Sequence, residues 1–475
     1  MILVRLTAVT FFGLAIASST LTAQQPAGAA TGSRGIASDA EILAIIRQRV
    51  DDRRSAGIVV GVIDADGRQR IVSYGDPGPG QPPLDGNSVF EIGSITKTFT
   101  STVLAQLVQE GKVRLEDPAQ KYLPATVQMP TRSGKEITLG SLAMQNSGLP
   151  RMPSNFKPAD LANPYADYTV QNLYDFLSGY QLTRDPGAEF EYSNLGVGLL
   201  GHILSRVTGL SYEEMERQRV WGPLGMRNTA ITFTPWMKAH LALGHDPQGQ
   251  VTANWDLLAL AGAGAIRSTT NDMLKFLDAN LHPERGALQR AMAFAHAGRA
   301  PAGNIGIGLN WFIAHTGADT IIWHNGGTAG YRTFVGFNPA RKIGVVLLTN
   351  SGNEGADDVG FHLLDSRLPL VPKPAPRKER TAIDVRADVL ARYAGRYQLA
   401  PNFILEVTFR DGLLYAQATG QSIVRLWPES ETSFFLKEVD AQVDFVRDAQ
   451  GTTSGLVLHQ NGQNIPGPRM PEGGR

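Results

Sequence analysis

Two short runs, Gly57 to Asp64 and Gly344 to Thr349, are so rich in Val, Ile and Leu that they read as buried strands. They lie far apart and bracket a middle of different character. Ile71 to Tyr74 follows the first as its hairpin partner, while Ile307 to Ala314, Thr320 to His324 and Tyr331 to Phe337 precede the last. Helical patterns mark Asp39 to Arg54 before the first strand and Thr169 to Ser178, Leu195 to Val207 and Thr270 to Ala279 between the two groups. Strands at both ends of a helical middle predict an α+β fold: one antiparallel sheet closed by both ends of the domain, helices on its faces, and a helical subdomain.

The stretch Ser94-Ile95-Thr96-Lys97 places a hydroxyl and an amine on one face of a helix that begins there. Ile95, Phe99, Val103 and Leu107 recur at helical spacing, and Leu104 and Val108 widen the apolar surface nearly all round. Free N–H groups at the helix N-terminus favour negative charge developing on the Ser94 oxygen. An ammonium in such apolar surroundings has a lowered pKa, which makes Lys97 a base able to take the serine proton. A capped helix start with a lysine reaching water is the alternative for so short a motif. Ser154-Asn155-Phe156-Lys157 repeats the spacing, but Pro153 and Pro158 bracket it and prevent a helix.

Tyr192-Ser193-Asn194, the only Tyr-x-Asn in the chain, lies between the turn-like Asp185-Pro186-Gly187 and the apolar run from Leu195 to Leu204. A phenol beside a serine hydroxyl relays its proton, and an amide fixes a substrate carbonyl or the lysine. Trp323-His324-Asn325-Gly326-Gly327 ends a strand, where glycines admit a substrate backbone and leave an N–H to serve an oxyanion. A buried tyrosine, a helix cap at Asn194 and a hairpin turn at Gly326-Gly327 are the plainer readings of these pieces.

Together and in this order the motifs resemble those of the penicillin-binding protein and class C β-lactamase family of serine hydrolases: Ser-x-x-Lys, Tyr-x-Asn, and Lys-Thr-Gly or His-x-Gly. The resemblance covers roughly residues 38 to 365 and takes in Glu110-Gly111-Lys112-Val113, Leu115-Glu116-Asp117-Pro118, Asn146-Ser147-Gly148-Leu149-Pro150 and Pro223-Leu224-Gly225-Met226. It implies that Ser94 is acylated, that Lys97 and Tyr192 share the acid and base work, and that Asn194 orients. The amides of Ser94 and Gly327 would form the oxyanion hole, beside Gly326. At His324 the chain departs from the lysine usual in β-lactamases. A mostly neutral imidazole there disfavours β-lactam hydrolysis against D-amino-acid peptides or esters. Arg332 and Asn353 are candidates to replace the missing charge, with a surface arginine and a turn asparagine as their ordinary readings.

Other motif readings fail on context. Gly196-Val197-Gly198-Leu199-Leu200-Gly201 matches a dinucleotide fingerprint, but the polar Ser211 to Arg219 follows instead of a second strand ending in an acidic residue. There is no Gly-x-Ser-x-Gly and no His-Glu-x-x-His, and His240 and His245 are wrongly spaced for one ion, so neither cofactor nor metal is expected. Lys plus Arg and Asp plus Glu each total 44, which argues against a nucleic-acid partner. No cysteine is present, which excludes a thiol nucleophile, disulfides and a lipoprotein anchor. Arg5, the apolar Leu6 to Ile16 and the small residues from Ala17 read as a bacterial secretory signal over residues 1–23, predicting a periplasmic or secreted protein without stable membrane insertion once cleaved.

A catalytic domain is thus expected over residues 36–365, and a Pro-rich, basic linker over 366–384. Beyond it, short alternating runs at Leu405 to Phe409, Leu413 to Ala418, Ile423 to Trp427, Ser433 to Lys437, Val443 to Arg447 and Leu456 to Gln460 predict a small antiparallel barrel over 385–465. Trp427, Phe434 and Phe435 read as its core, and with the Tyr393-Ala394-Gly395-Arg396-Tyr397 opening it resembles the lipocalin-like module of some peptidases of the same family. The sequence therefore predicts a secreted serine hydrolase acting through an acyl-enzyme on D-amino-acid peptides, as a D,D-carboxypeptidase or endopeptidase, or on β-lactams. A carboxylesterase with the same machinery and a catalytically silent penicillin-binding-like protein are the alternatives. A small molecule or peptidoglycan peptide is the expected partner, and nothing in the sequence gives the oligomeric state.

Overall fold

The computed structural model describes residues 35–353, 355–373, 380–400, 403–419, 423–437, 441–448, 450–460 and 463–471. The expected leader, residues 1–23, lies outside them, as do 374–379 of the expected linker. No described helix is long and apolar enough to cross a membrane. The chain forms two compact units, one ending at Val371 and the other beginning at Pro372.

In the first unit, strands β1 (Gly57–Ile63) and β2 (Gln69–Gly75) form a hairpin, and β3 (Val89–Glu91) pairs with β4 (Arg267–Thr269) in a small separate ladder. Six strands follow: β5 (Ala300–Ala302), β6 (Ile305–Ile307), β7 (Phe312–Thr316), β8 (Asp319–Gly327), β9 (Arg332–Asn338) and β10 (Ile343–Thr349). The main sheet runs β2-β1-β10-β9-β8-β7-β6-β5, antiparallel throughout. The seam that joins its N-terminal hairpin to the later strands is the pairing of β1 with β10, in which Ile58 meets Thr349 and Ile63 meets Gly344. Every residue of these two strands is buried because both faces are covered. Ile58, Val60, Val62, Val345 and Leu347 join the core with Ile42 and Ile46 of the Asp39–Asp51 helix and Val359 and Leu363 of the Asp357–Leu364 helix. Val59, Ile63, Val346 and Leu348 face the larger core built on the helices Thr96–Gln109, Thr270–Leu281 and Ala287–His296.

The expected run Ile307 to Ala314 is not one strand. Asn310 adopts the left-handed conformation (φ 56°), and the chain turns there between β6 and β7.

The second unit is an eight-stranded up-and-down antiparallel meander: β11 (Gly395–Ala400), β12 (Phe403–Arg410), β13 (Leu413–Ala418), β14 (Val424–Pro428), β15 (Ser433–Phe435), β16 (Ala441–Arg447), β17 (Thr453–Gln460) and β18 (Gln463–Pro468). A bridge between Tyr397 and Arg469 brings its last segment back to its first, so the barrel is nearly closed. The closing strand β18 was not legible in the sequence and runs three residues past the expected end. Pro466 and Pro468 mask it, and they are tolerated where the ladder is complete along one side only. Tyr393, Tyr397, Phe434 and Phe445 fill the interior. Trp427 does not belong to that core: it is half-buried, with the Arg425 guanidinium and the Lys437 ammonium each 3.6 Å from its ring centre.

Phe445 stacks on Tyr393 at 4.2 Å and meets Phe434 edge-on at 5.4 Å. Phe445→Ala is expected to destabilise the barrel unit by about 3–5 kcal/mol, read as a lowered midpoint in denaturant unfolding followed by the far-ultraviolet signal.

Candidate active site

Residues Gly93 to Ile95 make one 3₁₀ turn that runs directly into the Thr96–Gln109 helix, which sets Ser94 at its mouth and Lys97 in its first turn. The helix is buried almost all round even though it is rich in threonine. Its hydroxyls turn back onto the main chain: Thr98 Oγ1 donates to the Ile95 carbonyl at 2.7 Å and Thr102 Oγ1 to that of Thr98 at 2.9 Å. The lysine is therefore carried into a space without solvent.

There, Lys97 Nζ lies 2.9 Å from Ser94 Oγ, 2.8 Å from Asn194 Oδ1 and 2.6 Å from the carbonyl oxygen of Ala263. No carboxylate pairs with it among the described residues. Burial, aided by the charge of Arg151, holds the amine well below its usual pKa. A neutral amine has two N–H donors and one lone pair. Two of its three neighbours are carbonyl oxygens, which can only accept, so the lone pair is left to face the Ser94 hydroxyl.

Tyr192 and Asn194 arrive together because Ser193 caps the Asn194–Thr208 helix, its Oγ accepting from Gly196 N at 2.8 Å. Tyr192 stands beside Ser94, its ring centre lies 4.9 Å from Lys97 Nζ, and burial pushes its hydroxyl up to about 12, so it stays a neutral phenol. The opposite wall is the end of β8. His324 is buried, its Nδ1 bonding the Asn325 carbonyl at 2.6 Å, with its ring 6.2 Å from that of Tyr192. Burial and the nearby Lys97 charge push the imidazole down to about 3. Its Nε2 has no hydrogen-bond partner among the described residues.

Gly326 and Gly327 lie against the turn that carries Ser94. A methyl on Gly326 would sit 2.0 Å from the Ile92 carbonyl oxygen, which Thr333 Oγ1 already holds at 2.9 Å. Gly93 is left-handed (φ 52°), and a Cβ there would come within 2.7 Å of Gly327 N. Ser94 and the Gly327 amide are thereby brought to the same corner. The two candidates for a compensating charge are each anchored on main-chain carbonyls, Arg332 through Nη1 alone. Arg332, beside Gly327, donates to the carbonyls of Thr328 and Tyr331 at 2.6 and 2.8 Å, and Asn353 donates to the Arg53 carbonyl at 3.3 Å.

Two supports went unseen in the sequence. A buried amide chain ties the Tyr-Ser-Asn segment to the lysine helix: Gln145 Oε1 accepts from Ser193 N at 2.7 Å, Gln145 Nε2 donates to Asn310 Oδ1 at 2.7 Å, and Asn310 Nδ2 donates to Ser101 Oγ at 2.8 Å. Gln145 and Asn310 both have positive φ, a backbone state that hydrophobic patterns do not reveal. The second support is the glycine-rich run that imitated a nucleotide fingerprint. Gly198 and Gly201 sit inside the Asn194–Thr208 helix, where Cβ atoms would come 2.9 Å from the Cα of Leu260 and of Gly262. They let the turn that presents the Ala263 carbonyl lie directly on the helix.

A hydroxyl facing an unpaired buried amine, with a phenol and a glycine-lined strand end beside it, is the equipment of a serine hydrolase. Comparison with known proteins agrees. Residues 42–366 match the Beta-lactamase family model, and residues 379–468 match a domain of unknown function, DUF3471. The D-alanyl-D-alanine-carboxypeptidase/endopeptidase AmpH of Escherichia coli (strain K12) is 31% identical over 349 residues, covering 67% of this chain and 87% of that protein. A β-lactamase of Pseudomonas fluorescens is 27% identical, covering 64% and 91%. The crystal structure of a β-lactamase/D-alanine carboxypeptidase from Yersinia pestis superposes with a TM-score of 0.61 at 28% identity, covering 70% of this chain and 98% of that one. The chain belongs to the β-lactamase family, and it is a serine hydrolase.

Gly201→Val is expected to push the 261–263 turn off the helix and withdraw the Ala263 carbonyl from Lys97. Ester turnover should fall at least about tenfold while circular dichroism stays that of a folded chain, because the defect lies in the placing of one acceptor.

Proposed function

We propose that the protein is an exported D,D-peptidase of the carboxypeptidase/endopeptidase type that works through an acyl-enzyme on Ser94. The observation that carries this reading is the Lys97 amine, buried without a counter-ion between two carbonyl oxygens and the Ser94 hydroxyl. Ser94 Oγ attacks the substrate carbonyl as its proton passes to Lys97 Nζ, and the amides of Ser94 and Gly327 take the oxyanion. Tyr192, a neutral phenol, delivers a proton to the leaving nitrogen and recovers one by way of Lys97. Water then attacks the ester by the reverse relay and frees Ser94. Asn194 holds Lys97 through Oδ1, while its Nδ2 meets only the Met152 sulfur at 3.9 Å, a weak acceptor that a substrate carbonyl displaces. The peptidase reading is supported by AmpH and by a neutral His324 where β-lactamases carry lysine. Export rests on the leader-like residues 1–23.

Intact-protein mass after incubation with a penicillin, a D-Ala-D-Ala peptide and a nitrophenyl ester tests the reading. A covalent adduct is expected on the native chain and none on Ser94→Ala. Lys97→Arg should lose about 10²- to 10⁴-fold in turnover, since a guanidinium cannot take the proton. A Ser94→Ala protein that still acquires the adduct would overturn the assignment.

The pH profile separates Lys97 from His324. The working amine is neutral, so activity is present above the Lys97 pKa and is lost as pH falls through it. His324, an imidazole pushed down to about 3, stays neutral throughout and does not set this limb. His324→Gln is therefore expected to lower turnover while leaving the midpoint of the acid limb where it was, measured as kcat/KM on a neutral ester from pH 5 to 9.

A further inference from the structure

Arg151 follows Pro150 in the segment that leads to the site, and its main chain is locked there. Its carbonyl accepts from Asn194 N at 3.0 Å and Leu195 N at 3.3 Å, so the residue is fixed to the same helix end that carries Asn194. Its side chain returns toward the reactive groups. The guanidinium carbon lies 5.1 Å from the centre of the Tyr192 ring, the ring that also faces Lys97 Nζ at 4.9 Å. Arg151 is half-buried, and its guanidinium makes no hydrogen bond or ion pair with any described residue.

The neighbouring arginines show how unusual this is. Arg267 is buried and held by Glu91, Asp256 and the Trp255 carbonyl, and Arg332 is anchored through Nη1 on two main-chain carbonyls. Arg151 instead keeps all its N–H donors unused beside a lysine whose charged form it repels. Its one cation–π contact is with the face of the Tyr192 ring, which leaves every N–H donor free for an anion. What it lacks is that anion, and it lies beside the tyrosine that works with Ser94.

We propose that Arg151 is a specificity-determining residue that pairs with a carboxylate of the substrate, a proposal that rests on acyl transfer at Ser94. The carboxylate belongs either to the acyl side of the scissile bond or to the leaving amino acid. The fork of a guanidinium suits either one.

The test compares the native chain with Arg151→Gln and Arg151→Lys on matched D-Ala-D-Ala peptides. One has a neutral acyl group and a free C-terminal carboxylate, one the same acyl group and a C-terminal amide, and one a glutaryl group with the amide. A nitrophenyl ester without charge is the fourth substrate. Arg151→Gln is expected to lose about 10- to 100-fold in kcat/KM on a carboxylate-bearing peptide, mainly through KM, and far less on the uncharged substrates. Arg151→Lys should recover part of the loss. The peptide that suffers identifies which end carries the recognised carboxylate. Equal losses on all four substrates would overturn the proposal and leave Arg151 as a prop for Tyr192. A shifted acid limb on the ester without charge discrimination would do so too, leaving it as a modulator of Lys97. Calorimetric binding of the same peptides to Ser94→Ala and to Ser94→Ala/Arg151→Gln gives the comparison without turnover. There the preference for carboxylate over amide should vanish with the arginine, whether or not the chain acylates, so failure of the proposal is distinguishable from failure of the peptidase reading.

Discussion

An amine buried without a counter-ion is the constraint on which the rest of this unit turns. Charging Lys97 in place would cost several kcal/mol, because the amine is shut off from bulk solvent and no carboxylate among the described residues pairs with it. The surroundings are accordingly arranged for the neutral form. On the helix that bears the lysine, Thr98 and Thr102 turn their hydroxyls back onto its own main chain, and Thr100 donates to the Gly262 carbonyl. Asn194 and Ala263 occupy the two N–H groups from different parts of the chain. Each must be correctly placed for the lone pair to point at Ser94.

That placement explains which parts of the fold are rigid. The helix Asn194–Thr208 is studded with glycines so that another turn can lie on it, and the end of β8 carries glycines so that it can lie on the Ser94 turn. Main chain meets main chain at both places, where a flexible side chain would leave slack. The amide chain through Gln145 and Asn310 adds a third tie, between the Tyr192 segment and the lysine helix.

Much of this was legible in the sequence because it is written in local patterns. The buried strands 57–63 and 343–349, the lysine helix and the helix after Tyr192 all have strong periodicity, and the three short motifs sit where those elements end. The strand alternation of the C-terminal barrel was equally plain. What the sequence hid depends on tertiary approach. Gly198 and Gly201 looked like a phosphate loop because a helix seat for a neighbouring turn needs the same small residues. Arg151 gave no signal in the sequence, because nothing local says which ring it will lie against. That Arg332 would be anchored through Nη1 on the Thr328 and Tyr331 carbonyls, and Asn353 on that of Arg53, was likewise not visible. Trp427 alternates like a core residue, yet two cations flank it.

The seam between β1 and β10 has a consequence for how the molecule comes into being. Folding rates fall as contacting residues lie further apart in sequence, since a long loop must be closed before the contact is gained. The main sheet places its earliest strand against its latest, so a chain emerging N-terminus first holds Ile58, Val60 and Val62 without their partner until Leu347 has appeared. The barrel, made wholly of neighbouring hairpins, needs no such delay. During synthesis the hydrolase unit thus carries exposed apolar strand until its own last strand appears, and over that interval it depends on being kept from premature association.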